Sequence, residues 1–112
     1  MTTPAAESAL ARLAALVEHR QQERPGGSYT VELFDGGHTV MSSKIIEEAY
    51  ELIEAAGGDE PVDRMAITHE AADLVYHLLV LLTSVGVSWQ FVERELMERF
   101  GTSGLAEKAA RP

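Results

Sequence analysis

The chain contains no cysteine among its 112 residues. Disulfide stapling, thiolate zinc sites and cysteine nucleophiles are thereby excluded, and a reducing, cytoplasmic setting is expected. Positive charge is scarce: nine Lys and Arg stand against eighteen Asp and Glu, for a formal net charge of −9. That balance repels nucleic-acid backbones and anionic lipid, so no nucleic-acid partner is expected. Long apolar runs are missing too. The longest stretch, residues 74–87, is broken by Tyr76, His77, Thr83, Ser84 and Gly86. It also falls short of the roughly 18–20 residues that a membrane span needs, so no membrane partner is expected either. Residues 1–15 lack the basic region, apolar core and cleavage site of a signal peptide. What is present, 46% hydrophobic and 24% charged residues, is ordinary for a globular chain, and the length suits one domain over residues 1–112. A monomer of this size is only marginally stable.

The punctuation points to an all-α chain of four to five helices. Thr3 and Pro4 read as a helix start, and Leu10, Leu13, Leu16 and Val17 recur at helical spacing. This lead helix and its linker fill residues 1–27, ending at Arg24-Pro25-Gly26-Gly27. In residues 28–37 the apolar Tyr29, Val31, Leu33 and Phe34 imitate a strand. No second strand signal exists to pair with it, so the expectation is an ordered loop packed on the helices. A second helix is expected over residues 39–56, with Ile45, Ile46, Ala49, Leu52, Ile53 and Ala56 as its apolar stripe and Gly57-Gly58 as its stop. Asp59 reads as the cap of a third helix, with Pro61 in its first turn and Gly86 at its end. The second half of that helix, residues 74–82, is apolar nearly all round and is expected centrally in a bundle or a subunit interface. Ser88 reads as the cap of a fourth helix that turns Phe91, Val92, Leu96 and Met97 inward.

The acids carry the chemistry. Taking ~100° per residue, Lys44, Glu47, Glu48 and Glu51 share one arc of roughly 100° on the second helix. On the third, Asp73 lies about 60° from Glu70, with His77 between them in projection. Like charges three and four apart repel, and Glu70 and Asp73 lead directly into the most apolar segment, where unpaired charge is costly. A divalent cation between the two helices reverses the sign. Carboxylates from two helices are a common way to build a metal site inside a bundle. The plainer alternative is a solvated acidic face, and for a single Glu on a helix that is the commoner case. Periodicity leads no further than a divalent-metal site.

The same residues match a known pattern. Glu47-Glu48-Ala49-Tyr50-Glu51 has the form E-E-x-x-E, and Glu70-Ala71-Ala72-Asp73 the form E-x-x-D. Together they resemble the signature of the all-α nucleoside triphosphate pyrophosphohydrolases, the MazG-like superfamily. More narrowly, Ser28-Tyr29-Thr30 with Leu33-Phe34 and Gly37 resembles the entry segment of the phosphoribosyl-ATP pyrophosphohydrolases. The run from Glu70 to Leu82 resembles their central helix. Arg99-Phe100-Gly101, Ser103-Gly104-Leu105, Glu107-Lys108 and Arg111 resemble their C-terminal end. The resemblance spans residues 28–111. One departure is that residues 38–43 hold no lysine, leaving only Lys44 before the acidic helix.

That resemblance implies a MazG-like bundle with its acidic metal site between two central helices, completed as a homodimer. It implies hydrolysis of phosphoribosyl-ATP to phosphoribosyl-AMP and pyrophosphate, the second step of histidine biosynthesis. Magnesium is the expected metal, with manganese as a substitute, held by Glu48, Glu51, Glu70 and Asp73. Glu47 and Glu48 are the candidate catalytic acids, Glu47 as proton acceptor or ligand to a second ion. Lys44, Arg99, Lys108 and Arg111 are candidates for phosphate contacts, and Tyr29 for the nucleotide. Taken singly, each base is more often a surface residue and His77 more often a satisfied interior histidine. Residues 101–112 are expected to act as a functional tail. Two rival readings keep part of the pattern: a house-cleaning pyrophosphohydrolase for non-canonical nucleotides, and a non-enzymatic helical dimerisation module.

Overall fold

The computed structural model describes residues 8–100 and 111. Four helices follow in order: α1 (Ala9–Glu23), α2 (Tyr29–Ala56), α3 (Arg64–Ser84) and α4 (Trp89–Arg99). Among the described residues there is no strand, and the chain is all-α as its patterning implies. α2 and α3 form the most extensive pair, α1 packs on both, and α4 leans on α1. The core is small. Val17 of α1, Leu33 and Met41 of α2 and Val80 of α3 meet at its centre, with Leu13, Phe34, Tyr76 and Leu81 packed around them.

Helix boundaries follow local capping. The Ser8 side chain accepts the Ala11 amide and starts α1, while the Thr3-Pro4 start lies outside the described residues. The backbone of Arg24, in the left-handed conformation, ends α1 by donating to Arg20 O.

The segment after it is not a loop. α2 begins at Tyr29, its amides capped by Ser28 Oγ, which accepts from Val31 N at 3.4 Å. Glu32 supplies a negative charge in the first turn, where the helix dipole favours it. Thr30 and Leu33 are buried on the inner side, and Phe34 packs against the core beside them. Their spacing, 30, 33 and 34, is helical. The strand-like alternation of the same segment is incidental.

At Gly37 the backbone leaves helical values (φ 75°, ψ −172°) and α2 kinks. Side chains other than hydrogen are strongly disfavoured there. The kink folds residues 29–36 back over α3.

α3 starts later than its sequence suggests. The Glu60 carboxylate accepts the Val62 amide at 3.2 Å, closing a turn that is not yet helix. Asp63 rather than Asp59 then caps α3, accepting from Ala66 N at 3.0 Å. By length and hydropathy alone α3 could cross a membrane. It nevertheless carries Glu70, Asp73 and His77, and it packs against both α1 and α2. Of its described residues His77, Leu79 and Val80 are buried, while Leu78 is exposed.

Two apolar faces are not inward as expected. On α2, Ile46 and Ile53 are 70% and 69% exposed, and Tyr50 between them 62%. On α4, Phe91, Leu96 and Met97 are exposed and no residue is buried. On α2, Ile45, Ala49 and Leu52 of the same stripe are half-buried, and on α4 Val92 is, so among the described residues each stripe is covered only in part.

Candidate metal centre

The α2–α3 pairing sets Glu48 and Glu51, one turn apart, against Glu70. One carboxylate oxygen from each lies within 4.8 Å of the others. Glu48 is only 9% exposed. Glu48 Oε2 and Glu70 Oε2 are both buried without a hydrogen-bond partner. Burying carboxylate oxygens without donors is costly, and doing so among like charges more so. A hydrogen bond with Glu70 pushes the Glu51 carboxyl above its ordinary value. Burial and the like charges of Glu70 and Glu47 add to the push, and a hydrogen bond from Glu48 opposes it. Glu51 therefore holds a proton more readily than a free carboxylate does, and a cation would compete for the same oxygens. Oxygens bound to one magnesium at ~2.1 Å stand roughly 3–4 Å apart, so small side-chain rotations suffice to close the triad on an ion. All three donors are hard oxygens, the chemistry that magnesium and manganese prefer. The residues present therefore fit a divalent cation.

Only some of the other expected site residues lie on the helices that form this triad. Asp73, one turn after Glu70, is not part of it in this arrangement. Its Oδ2 stands 3.2 Å from Nε2 of His69 on the same helix. The four-residue spacing of His69 and Asp73 is the sequence signal for that pair, and a pattern of acids alone does not contain it. Glu47 is exposed and lies 3.5 Å from Lys44 Nζ. Lys44 is held above the usual lysine value chiefly by Glu47 and then by Tyr29. Arg99 lies on α4, away from the α2–α3 seam, and its guanidinium meets Glu95 Oε1 at 3.2 Å. Arg111 is exposed, and Lys108 lies outside the described residues.

Tyr29 sits in the first turn of α2, 47% exposed. Its hydroxyl lies 3.1 Å from His77 Nε2. The other ring nitrogen of His77, Nδ1, lies 2.8 Å from the carbonyl oxygen of Asp73. Alongside, Thr30 Oγ1 and the Tyr76 hydroxyl are 2.6 Å apart, and the Tyr29 and Tyr76 rings stack 6.2 Å apart. Burial raises the Tyr29 phenol above its ordinary value, against the lowering effect of Lys44, and Glu48 and Glu47 contribute to the same field. Tyr29, Lys44, Glu47 and Glu48 therefore share one electrostatic neighbourhood.

Known proteins share this sequence along most of its length. The profile of the phosphoribosyl-ATP pyrophosphohydrolase family matches residues 10–100. A phosphoribosyl-ATP pyrophosphatase from Rhodopirellula baltica is 48% identical over 103 residues, covering 92% of this chain and 86% of that protein. One from Rhodobacter capsulatus is 48% identical over 104 residues, covering 93% of this chain and 98% of that protein. One from Azospirillum brasilense is 45% identical over 103 residues, covering 91% and 89%. With the acidic helices, the kinked entry segment and the central helix all inside the matched region, the chain belongs to the phosphoribosyl-ATP pyrophosphohydrolase family.

Proposed function

We propose that this chain hydrolyses phosphoribosyl-ATP to phosphoribosyl-AMP and pyrophosphate in histidine biosynthesis, with magnesium as its metal. The observation that carries this reading is the triad itself: carboxylates of Glu48, Glu51 and Glu70 with an oxygen of each within 4.8 Å of the others, of which Glu48 and Glu70 each bury an oxygen that has no donor. Family membership supplies the substrate.

Glu48, Glu51, Glu70 and Asp73 would hold the ion, Asp73 in exchange for its contact with His69, and a bound ion would offset triphosphate charge and acidify the attacking water. Water adds across the bond between the α and β phosphates. Its oxygen bonds to phosphorus, the bridging P–O bond breaks, and pyrophosphate leaves. Glu47, exposed and only loosely paired with Lys44, accepts the proton of that water. Lys44 turns from Glu47 to the phosphates, where its three N–H donors match phosphate oxygens. Lys108, Arg111 and Arg99 are further phosphate contacts, supplied by the tail and by α4. Two copies of the chain assemble through the uncovered faces of α2 and α4.

A pyrophosphate-release assay tests the assignment, with phosphoribosyl-ATP set against a panel of nucleoside triphosphates, with and without magnesium. Turnover of phosphoribosyl-ATP at least tenfold above every other nucleotide, and only with the metal, is expected. Preference for a non-canonical triphosphate would move the chain to the house-cleaning class.

A further inference from the structure

His77 is 5% exposed, and both ring nitrogens are engaged, yet the hydrolysis above gives it no part. Its bonding pattern fixes where the protons lie. The Asp73 carbonyl only accepts, so the hydrogen between it and Nδ1 belongs to the ring. In the neutral imidazole the other nitrogen, Nε2, then carries a lone pair and accepts. With the ring neutral, the Tyr29 hydroxyl at 3.1 Å is the donor of this bond. With its one proton committed to His77, the phenol oxygen is left with acceptor capacity only, on a residue that is half exposed at the edge of the acidic site.

We infer that His77 is a positioning residue that holds the Tyr29 phenol as a hydrogen-bond acceptor for a ribose hydroxyl of the nucleotide. The inference rests on the proposed nucleotide site but concerns a different part of the ligand from the metal. Phosphate oxygens accept and do not donate at neutral pH, so they suit Lys44 and not this phenol. Among the donors on a nucleotide, the ribose hydroxyls lie nearest the phosphates. Lys44 and Tyr29, which sense each other's charge, would then divide the ligand between them, phosphate to the ammonium and sugar to the phenol. A histidine serving the core alone would not need its partner to be a half-exposed tyrosine beside Lys44 and Glu48.

Two readouts test this, with variants Tyr29→Phe, His77→Asn, His77→Gln and the double variant Tyr29→Phe/His77→Asn. Gln can place an acceptor near the Nε2 position, whereas Asn cannot reach it. In steady-state hydrolysis of phosphoribosyl-ATP, Tyr29→Phe and His77→Asn should each raise KM about 2- to 10-fold, the worth of one uncharged hydrogen bond. Their kcat should change little, the double variant should be no worse than either, and His77→Gln should recover wild-type KM. In calorimetric binding with magnesium, the wild type should bind ATP more tightly than 2′-deoxy-ATP or 3′-deoxy-ATP by a similar factor. Tyr29→Phe and His77→Asn should bind ATP and that analogue alike. Losses that multiply in the double variant, sugar discrimination that survives in Tyr29→Phe, or a His77→Gln protein as impaired as Tyr29→Phe would each overturn the inference. Should His77→Asn fail to fold, Tyr29→Phe and His77→Gln still decide it. A wild type that discriminates ATP from its deoxy analogue yet releases no pyrophosphate from phosphoribosyl-ATP would support the inference and sink the substrate assignment.

Discussion

At Glu70 and Glu51 the proposed metal binding and the stability of the metal-free chain oppose each other. Without an ion, the triad holds like charges close together, two of its oxygens without donors. Replacing Glu70 by Gln removes one charge and leaves the shape. The metal-free Glu70→Gln protein should therefore melt slightly higher than the wild type, by roughly 1–3 °C for a domain of this size. Its melting temperature should no longer respond to magnesium, and pyrophosphate release should fall at least a hundredfold. A calorimetric scan with and without the ion checks the first two, and an unchanged magnesium response would remove Glu70 from the ligand set. The raised Glu51 carboxyl adds a pH dependence. A carboxyl whose folded value lies above its unfolded one contributes stability that is present below the unfolded value and lost as pH rises through the folded one. The metal-free chain should thus gain stability on acidification from neutral pH into the upper carboxylate range. The magnesium-bound chain should lose it over the same window, because protons displace the ion. The common face of Glu48 and Glu51 was legible in the sequence because rotation along a helix is a local property. The pairing of Asp73 with His69 was not, because a pattern of acids says nothing of which base an acid meets.

At the scale of the element, α2 shows why a strand-like alternation misleads. Tyr29, Val31 and Leu33 alternate only because a helical face and a strand face overlap over so few residues. The better signals were Ser28 as cap, Glu32 in the first turn, and the spacing of Thr30, Leu33 and Phe34. The kink at Gly37 is what allows this first turn to lie over Tyr76 and His77 while the rest of α2 runs along α3. Gly37→Ala would find open space for its methyl group. The strain is in the backbone, of order 1–3 kcal/mol for a residue held in that region. The variant should melt about 4–20 °C lower. It should also raise KM for phosphoribosyl-ATP, since Tyr29 moves with the segment. Thermal melts and steady-state kinetics check both, and a variant with wild-type KM would detach the entry segment from the ligand. Gly36 differs: a methyl group there would meet the Val40 side chain at 2.7 Å, so its cost is a clash and not a backbone conformation.

For the whole molecule the open question is what lies against the outward stripe of α2. Sequence periodicity identified Ile46 and Ile53 as apolar-face residues, but the direction of a face depends on its neighbour, and a neighbour from another copy leaves no trace in one chain's pattern. The stripe formed by Ile46, Tyr50 and Ile53 at i, i+4 and i+7 is continuous along the helix. Among the described residues the buried apolar set is Ala14, Val17, Leu33, Met41, Leu79 and Val80, a slight core for a domain that must stand alone. A second copy using the same stripe would bury it twice over, because a two-fold interface presents each residue from both sides. Burying an isoleucine contributes about 1.5–3 kcal/mol. Ile53→Asp should therefore weaken dimerisation by about 3–6 kcal/mol from its two copies, or roughly a hundredfold to ten-thousandfold in Kd. Sedimentation of the wild type and of Ile53→Asp across micromolar concentrations reads this directly. A wild-type chain that sediments as a monomer, or a variant dimer as tight as the wild type, would mean that the stripe is not where two copies meet. In the expected case the variant would separate assembly from chemistry. The acids at positions 48, 51 and 70 all come from one chain, so magnesium binding should persist in the monomer even where turnover declines.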